Sequence, residues 1–105
     1  MTPSTQEFLA LGLCEAPDMV AVLELAVAGE LFHDAGETYR LVDGRLSLVS
    51  AELRDAASEL WDHWFLLEDT TYRALLTDDA EPIAVLEYTI TPTGRALLEH
   101  LTTTR

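Results

Sequence analysis

Apolar residues recur along the chain with two different periods, and helical periods dominate its first third. The segment Ser4-Thr5-Gln6-Glu7 matches a capping box, so the pattern predicts a short helix over residues 5–11 that ends at Gly12. Residues 19–32 then carry Glu24 and Glu30 as their only polar side chains. This second predicted helix is apolar around its circumference, which indicates either a central position or an outer face covered by a second subunit.

Alternating patterns predict two β-hairpins. Residues 38–42 and 45–49 flank Asp43-Gly44, the sequence typical of a two-residue type I′ turn. Tyr39, Leu41, Leu46 and Leu48 are expected on its buried face. Residues 70–76 and 83–90 form the second predicted hairpin, around the acidic loop 77–82.

Two further amphipathic helices complete the predicted element order. One of about 17 residues starts after Ser50 and places Trp61 and Trp64 on its core face, with acids on the other face and Leu66 among them. The last helix is predicted to be capped by Thr91 and to run through Leu101. The order helix, helix, β-hairpin, helix, β-hairpin, helix predicts one α+β domain over residues 1–105.

The junction between the second hairpin and the last helix carries a family resemblance. Residues 88–98 read Tyr-Thr-Ile-Thr-Pro-Thr-Gly-Arg-Ala-Leu-Leu. This stretch resembles the wing-to-last-helix junction of bacterial winged-helix regulators of the MarR and PadR kind. The resemblance implies a winged-helix-like fold in which residues 50–68 take the place of the DNA-reading helix and loop 77–82 is the wing tip. The helix-turn-helix pair departs from that pattern, because the 38–49 hairpin replaces its first helix.

Charge changes what the resemblance implies about partners. Nineteen acidic residues stand against six basic ones, all arginine, for a net charge of −13. Acids dominate both surfaces that a winged-helix regulator turns toward DNA, so phosphate is repelled and a basic protein partner is favoured. Expected partner-binding residues are Glu52, Asp55, Glu59, Asp62, Leu66, Asp78 and Asp79. A DNA-binding regulator whose arginines gather on one hairpin is the chief alternative.

Homodimerisation is expected through the apolar second helix and the two terminal helices. The predicted interface residues are Phe8, Leu9, Val20, Leu23, Val27, Leu97 and Leu101. No apolar run approaches the roughly 18 to 20 residues of a membrane span, and no basic residue precedes the first apolar stretch. We therefore expect a cytoplasmic protein without membrane contact.

Candidate chemistry is sparse. His33 beside Asp34 and His63 beside Asp62 lack the spacing of a known metal or catalytic motif. Cys14, the single cysteine, has acids rather than bases beside it and is expected to be a half-buried, unreactive thiol. The sequence predicts a non-enzymatic regulatory protein without cofactor or metal. A weaker alternative is a small-molecule sensor built around Trp61 and Trp64.

Overall fold

The computed structural model describes residues 5–103, which form an α+β fold with four helices and one six-stranded antiparallel sheet. Ser4 of the predicted capping box lies outside the described residues. The helices are α1 (Thr5–Ala10), α2 (Ala16–Val27), α3 (Ala51–Asp62) and α4 (Pro92–Thr103). The strands are β1 (Leu31–Asp34), β2 (Glu37–Val42), β3 (Arg45–Leu48), β4 (Leu66–Glu68), β5 (Arg73–Leu76) and β6 (Pro82–Ile90).

The second helix is shorter than its apolar pattern predicted. It ends at Val27, and Gly29 adopts a left-handed conformation with φ +73°. The amide of Glu30 then donates to the carbonyl of Leu25 at 2.9 Å, a backbone bond that closes the helix end. The prediction of helix through residue 32 was therefore wrong, because the apolar character of Leu31 and Phe32 reflects a strand buried on both sides.

The two predicted hairpins are confirmed, and the structure joins them into one sheet. In the first, Val42 pairs with Arg45 across a turn in which Asp43 and Gly44 both have positive φ, as a type I′ turn requires. Strand order is β3-β2-β1-β6-β4, and β5 also pairs with β6. The long strand β6 thus lies between β1 on one side and β4 and β5 on the other.

Two hydrophobic cores stabilise this arrangement. The larger packs the four helices against the sheet and includes Leu23, Leu60 and Leu97, each fully buried. The smaller lies between the hairpins around Phe32, Leu46 and Val85. Tyr39 and Leu41 pack against this second core as predicted, whereas Leu48 is 60% exposed.

The larger core uses most of the residues predicted for a dimer interface. Phe8, Val20, Leu23, Leu97 and Leu101 are buried within the single chain, Leu9 packs partly against the same core, and only Val27 is well exposed. The prediction that these residues form a surface was wrong for the five buried ones, because burying α1 and α4 against α2 already satisfies the apolar face of that helix.

The third helix also ends earlier than its pattern predicted. It stops at Asp62, and after three intervening residues the chain enters β4, where Leu66 is fully buried opposite Ile90. Leu66 was therefore wrongly expected to contact a partner. The sequence pattern placed Leu66 on the acidic face because the helical period was continued past Asp62 into residues that form a strand.

Candidate functional site

Both tryptophans of the chain lie at the surface, Trp61 in the last turn of α3 and Trp64 on the segment that links α3 to β4. The side chains of Trp61 and Trp64 are 39% and 57% exposed, so their predicted core position was wrong. Tyr72, 61% exposed, and Leu67, 40% exposed, face the same open cleft of about 470 Å³. Its full lining is Trp61, Trp64, Leu67, Glu68, Asp69, Thr70, Tyr72 and Leu86, and we name it the aromatic cleft. Clustered exposed aromatic side chains mark interaction sites more often than isolated apolar residues do.

Trp64 adopts a left-handed backbone conformation with φ +66°. This region costs an ordinary L-residue roughly 1–2 kcal/mol, and a bulky side chain is rarely found there. Glycine or asparagine would fit the same turn without that cost. The chain therefore keeps a strained and exposed indole where folding alone favours a smaller residue, which points to a function for the side chain.

The start of α4 holds the backbone of Trp64 in this conformation. The hydroxyl of Thr91 donates to the carbonyl oxygen of Trp64 at 2.8 Å and also lies 3.1 Å from that of Phe65. The same hydroxyl accepts the amide of Gly94 at 2.9 Å, which caps the helix. Thr93 adds a longer bond to the Trp64 carbonyl at 3.3 Å. One side chain thus caps α4 and fixes the turn that presents Trp64.

Gly94 brings α4 and this turn into close contact. A Cβ atom built on Gly94 would lie 2.2 Å from the carbonyl oxygen of Phe65 and 2.8 Å from Cγ1 of Ile90. Because the first neighbour is backbone, no side-chain rotation would relieve the clash. Thr91 and Gly94, which belong to the stretch that carries the winged-helix resemblance, therefore also pack α4 against the turn at Trp64 and Phe65.

The opposite wall of the aromatic cleft is fixed by a side-chain turn. Asp69 Oδ1 accepts the amide of Thr70 at 2.7 Å and that of Thr71 at 3.4 Å, and the Asp69 amide donates to the carbonyl of Glu87 at 2.8 Å. Such Asx turns shape a loop without regular secondary structure. They shape the loop that places Tyr72 directly before β5, on the same cleft as the tryptophans.

A partly buried group of titratable side chains lies behind the cleft. The rings of His33 and Tyr88 stack at 4.2 Å between centroids. Glu68 Oε2 lies 2.9 Å from His33 Nε2, a close contact whose angle falls outside hydrogen-bond geometry. Burial, together with the nearby carboxylates of Glu68 and Asp62, raises the pKa of Tyr88 to about 12. Glu68 thus belongs both to this partly buried group and to the rim of the cleft.

The acids predicted to bind a partner do not form one surface. Glu52 and Asp55 line a separate depression with Cys14 and Asp18, and burial together with the carboxylates of Glu59, Asp55 and Asp18 raises the pKa of the Cys14 thiol. Asp62 alone adjoins the tryptophans. Glu59 lies beside His63, whose Nδ1 is 2.9 Å from the Glu59 carbonyl oxygen at the end of α3.

Of the two predicted partner-binding acids at the tip of the second hairpin, one bonds to the first hairpin and the other is exposed. Asp78 Oδ2 accepts the hydroxyl of Ser47 at 2.7 Å, and the Asp78 carbonyl accepts from Arg45 at 3.3 Å. Asp78 thereby ties the tip to strand β3, while Asp79 stays exposed in a neighbouring depression. These contacts join residues more than 30 positions apart, so no local pattern in the sequence could predict them.

Three of the six arginines have partners within the fold. Arg73 lies 3.3 Å from Glu87 with its guanidinium carbon 5.2 Å from the centroid of the Phe32 ring, and Arg54 lies 3.6 Å from Asp55. With Arg45 bonded to the hairpin tip, these three side chains have partners within the fold.

Comparisons with family models, with curated proteins and with solved structures found no match to this chain. Within the part of the chain that the structure describes, no helix is both long and apolar enough to cross a membrane. The same residues contain no group of three or more His, Cys, Asp or Glu side chains placed to hold a metal ion.

Proposed function

We propose that this protein is a non-enzymatic regulatory module that binds a basic protein partner through the aromatic cleft. The observation that carries the proposal is Trp64, a half-exposed indole kept in a strained backbone conformation beside Trp61. Tryptophan and tyrosine are enriched among the few residues whose loss weakens a protein interface most. A strained surface tryptophan costs stability, and binding is the function that accounts for it.

Charge selects the kind of partner. Glu68 and Asp69 line the cleft, Asp62 adjoins it, and no basic residue is among its lining. The chain as a whole carries a net charge of −13. A basic surface is therefore attracted from a distance and meets carboxylates on arrival, which raises the association rate and disfavours acidic partners.

We also propose that the module has a winged-helix-like fold and regulates a DNA-associated process by binding a protein. It is supported by the position of β6 between β1 and the β4–β5 side, and by the capped helix that follows the second hairpin. Direct DNA binding is the alternative, and the observations oppose it. Glu52, Asp55 and Asp62 are exposed on α3, and Asp79 is exposed at the hairpin tip, so a phosphate backbone on these surfaces would be repelled.

Homodimerisation in the cytoplasm is a further part of the proposal, with a smaller surface than the sequence suggested. Exposed Val27 and an apolar groove of about 420 Å³ between α2 and α4 remain for it. The groove is lined by Ala16, Pro17, Val20, Ala21, Glu24 and Leu101. Light scattering at increasing concentration tests this part, since a dimer doubles the scattering mass and a monomer at all concentrations contradicts it.

Binding to three probes tests the proposal as a whole. A lysine- and arginine-rich peptide, a glutamate-rich peptide of equal length and a random-sequence DNA duplex are titrated against the protein by calorimetry. We expect binding of the basic peptide that weakens with added salt, and none of the other two. Binding of the duplex in preference to the basic peptide would favour the DNA-binding alternative, and no binding of the basic peptide would contradict the proposed function.

A further inference from the structure

The aromatic cleft presents ring faces that the fold itself does not use. No ring-to-ring contact or hydrogen bond of the described residues engages the side chains of Trp61, Trp64 or Tyr72. Buried tryptophans ordinarily find a partner for the indole N–H, and exposed ones without it are available to a ligand. All three rings face one open space with Leu67 and Leu86.

The cleft is also organised in advance of binding. Thr91 and Thr93 fix the carbonyl of Trp64, Trp61 lies in the last turn of α3, and Asp69 shapes the loop before Tyr72. A backbone that is fixed before binding does not have to be ordered by the ligand, which lowers the entropy cost of binding. Such a site discriminates between ligands by shape as well as by charge.

We propose that the aromatic cleft binds arginine side chains of the partner, with the guanidinium plane stacked on the tryptophan or tyrosine rings and its N–H groups directed to the Glu68 and Asp69 carboxylates. This inference rests on the proposed function and specifies its chemistry. Aromatic faces attract cations through their quadrupole, and carboxylates at the rim add direct charge attraction. Among biological cations, guanidinium is planar and weakly hydrated, so it suits a cleft with apolar and aromatic walls better than a lysine ammonium does.

The fold already contains one arginine held between an aromatic ring and a carboxylate. The Arg73 guanidinium carbon is 5.2 Å from the centroid of the Phe32 ring, and its Nη1 is 3.3 Å from Glu87 Oε1. An arginine placed between an aromatic face and a carboxylate is thus already stable in this sheet. The cleft offers the ring and the carboxylate of that arrangement without the arginine.

A second copy of this chain is a poor occupant. A symmetric contact through the cleft would bring the acidic rims of two molecules together, each molecule carrying a net charge of −13. At ordinary ionic strength such rims repel over about 8–10 Å. A basic partner segment removes this repulsion.

Tryptophan fluorescence gives a direct test, since both tryptophans line the cleft. The full chain is titrated with a hexapeptide of alternating glycine and arginine, with its lysine counterpart of equal charge, and with tetramethylammonium ion. We expect a saturable fluorescence change and about fivefold or greater preference for the arginine peptide over lysine. Equal affinity for the two peptides would overturn the arginine assignment while leaving the proposed function in place. Tighter binding of tetramethylammonium would assign the cleft to a free cation instead.

Variants locate the binding. Trp64→Gly and Tyr72→Leu are expected to weaken the arginine peptide about tenfold, and Glu68→Gln by a smaller factor, with far-ultraviolet circular dichroism showing that each variant is folded. Glu99→Gln makes the same charge change at an exposed position on α4 and should leave the affinity unchanged. Unchanged affinity in Trp64→Gly and Tyr72→Leu would place the bound arginine elsewhere and contradict the inference.

Discussion

The hydroxyl of Thr91 donates a hydrogen bond of 2.8 Å to the carbonyl oxygen of Trp64, 27 positions earlier in the chain. Thr91 caps the last helix, and Trp64 lies on the segment between α3 and β4. Helix capping and presentation of the aromatic cleft therefore depend on one side chain, and removing it should affect both stability and binding.

Thr91→Val keeps the shape of the side chain and removes the hydroxyl. The Gly94 amide and the Trp64 carbonyl each lose a partner, so we expect the free energy of unfolding to fall by about 1–2 kcal/mol in urea denaturation. Thr89→Val is the matched control, because Thr89 is an exposed strand residue whose hydroxyl makes only a 3.4 Å contact. Equal stability of the two variants would show that the Thr91 bonds contribute little.

Gly94→Ala tests the close approach of α4 to the tryptophan turn. Within a helix, alanine is normally more stable than glycine by about 1 kcal/mol. Here the new Cβ would lie 2.2 Å from the Phe65 carbonyl oxygen, so we expect a lower melting temperature instead. Ser58→Ala, at an exposed position of α3, should be neutral or slightly stabilising. A stabilised Gly94→Ala variant would mean that the two segments are not in contact.

Two substitutions of Trp64 separate backbone strain from the loss of the indole. Trp64→Gly and Trp64→Ala both remove the ring, but only glycine adopts φ +66° without strain. We therefore expect Trp64→Gly to be more stable than Trp64→Ala by about 1 kcal/mol in chemical denaturation. Two variants of equal stability would argue that the turn is not strained and would weaken the functional reading of Trp64.

Alkaline pH should destabilise the fold through Tyr88. Burial, helped by Glu68 and Asp62, raises its pKa to about 12 in the folded chain, above the unfolded value near 10. The folded state therefore holds this proton more tightly, so the contribution of Tyr88 is constant below pH 10 and is lost as pH rises toward 12. Urea denaturation from pH 8 to 11.5 should show this fall.

Tyr88→Phe should reduce the alkaline loss of stability, because the variant has no phenol to ionise at this position. The raised pKa values of Cys14 and Tyr39 act in the same direction, so part of the loss remains in the Tyr88 variant. A profile identical to that of the unchanged chain would show that Tyr88 ionises as easily in the folded state as in the unfolded state.

Local signals in the sequence predicted most of the elements. The Asp43-Gly44 turn, the Ser50 and Thr91 caps and the short first helix all depend on neighbouring residues, and the structure confirms them. The errors lie where a helical period was extended past its end. Gly29 and Trp64 each turn the chain through a positive φ, and apolar residues beyond them belong to strands.

The aromatic cleft could be found only in part from the sequence. Trp61 and Trp64 were recognised as candidates, but helical spacing placed them in the core. Their exposure follows from the early end of α3 and from the contact between Gly94 and Phe65, which joins segments far apart in sequence. Tyr72, Glu68 and Asp69 reach the cleft through strand pairing with β6 and the turn at Asp69, which no local period predicts.

The most direct test of the aromatic cleft as a binding surface is a nuclear magnetic resonance titration of the two indole N–H signals. The chain has two tryptophans, so both signals report on this cleft. On addition of the glycine–arginine peptide, we predict that both indole signals shift saturably together with the amides of the residues that line the cleft. Indole signals that stay in place while amides elsewhere shift would contradict the account.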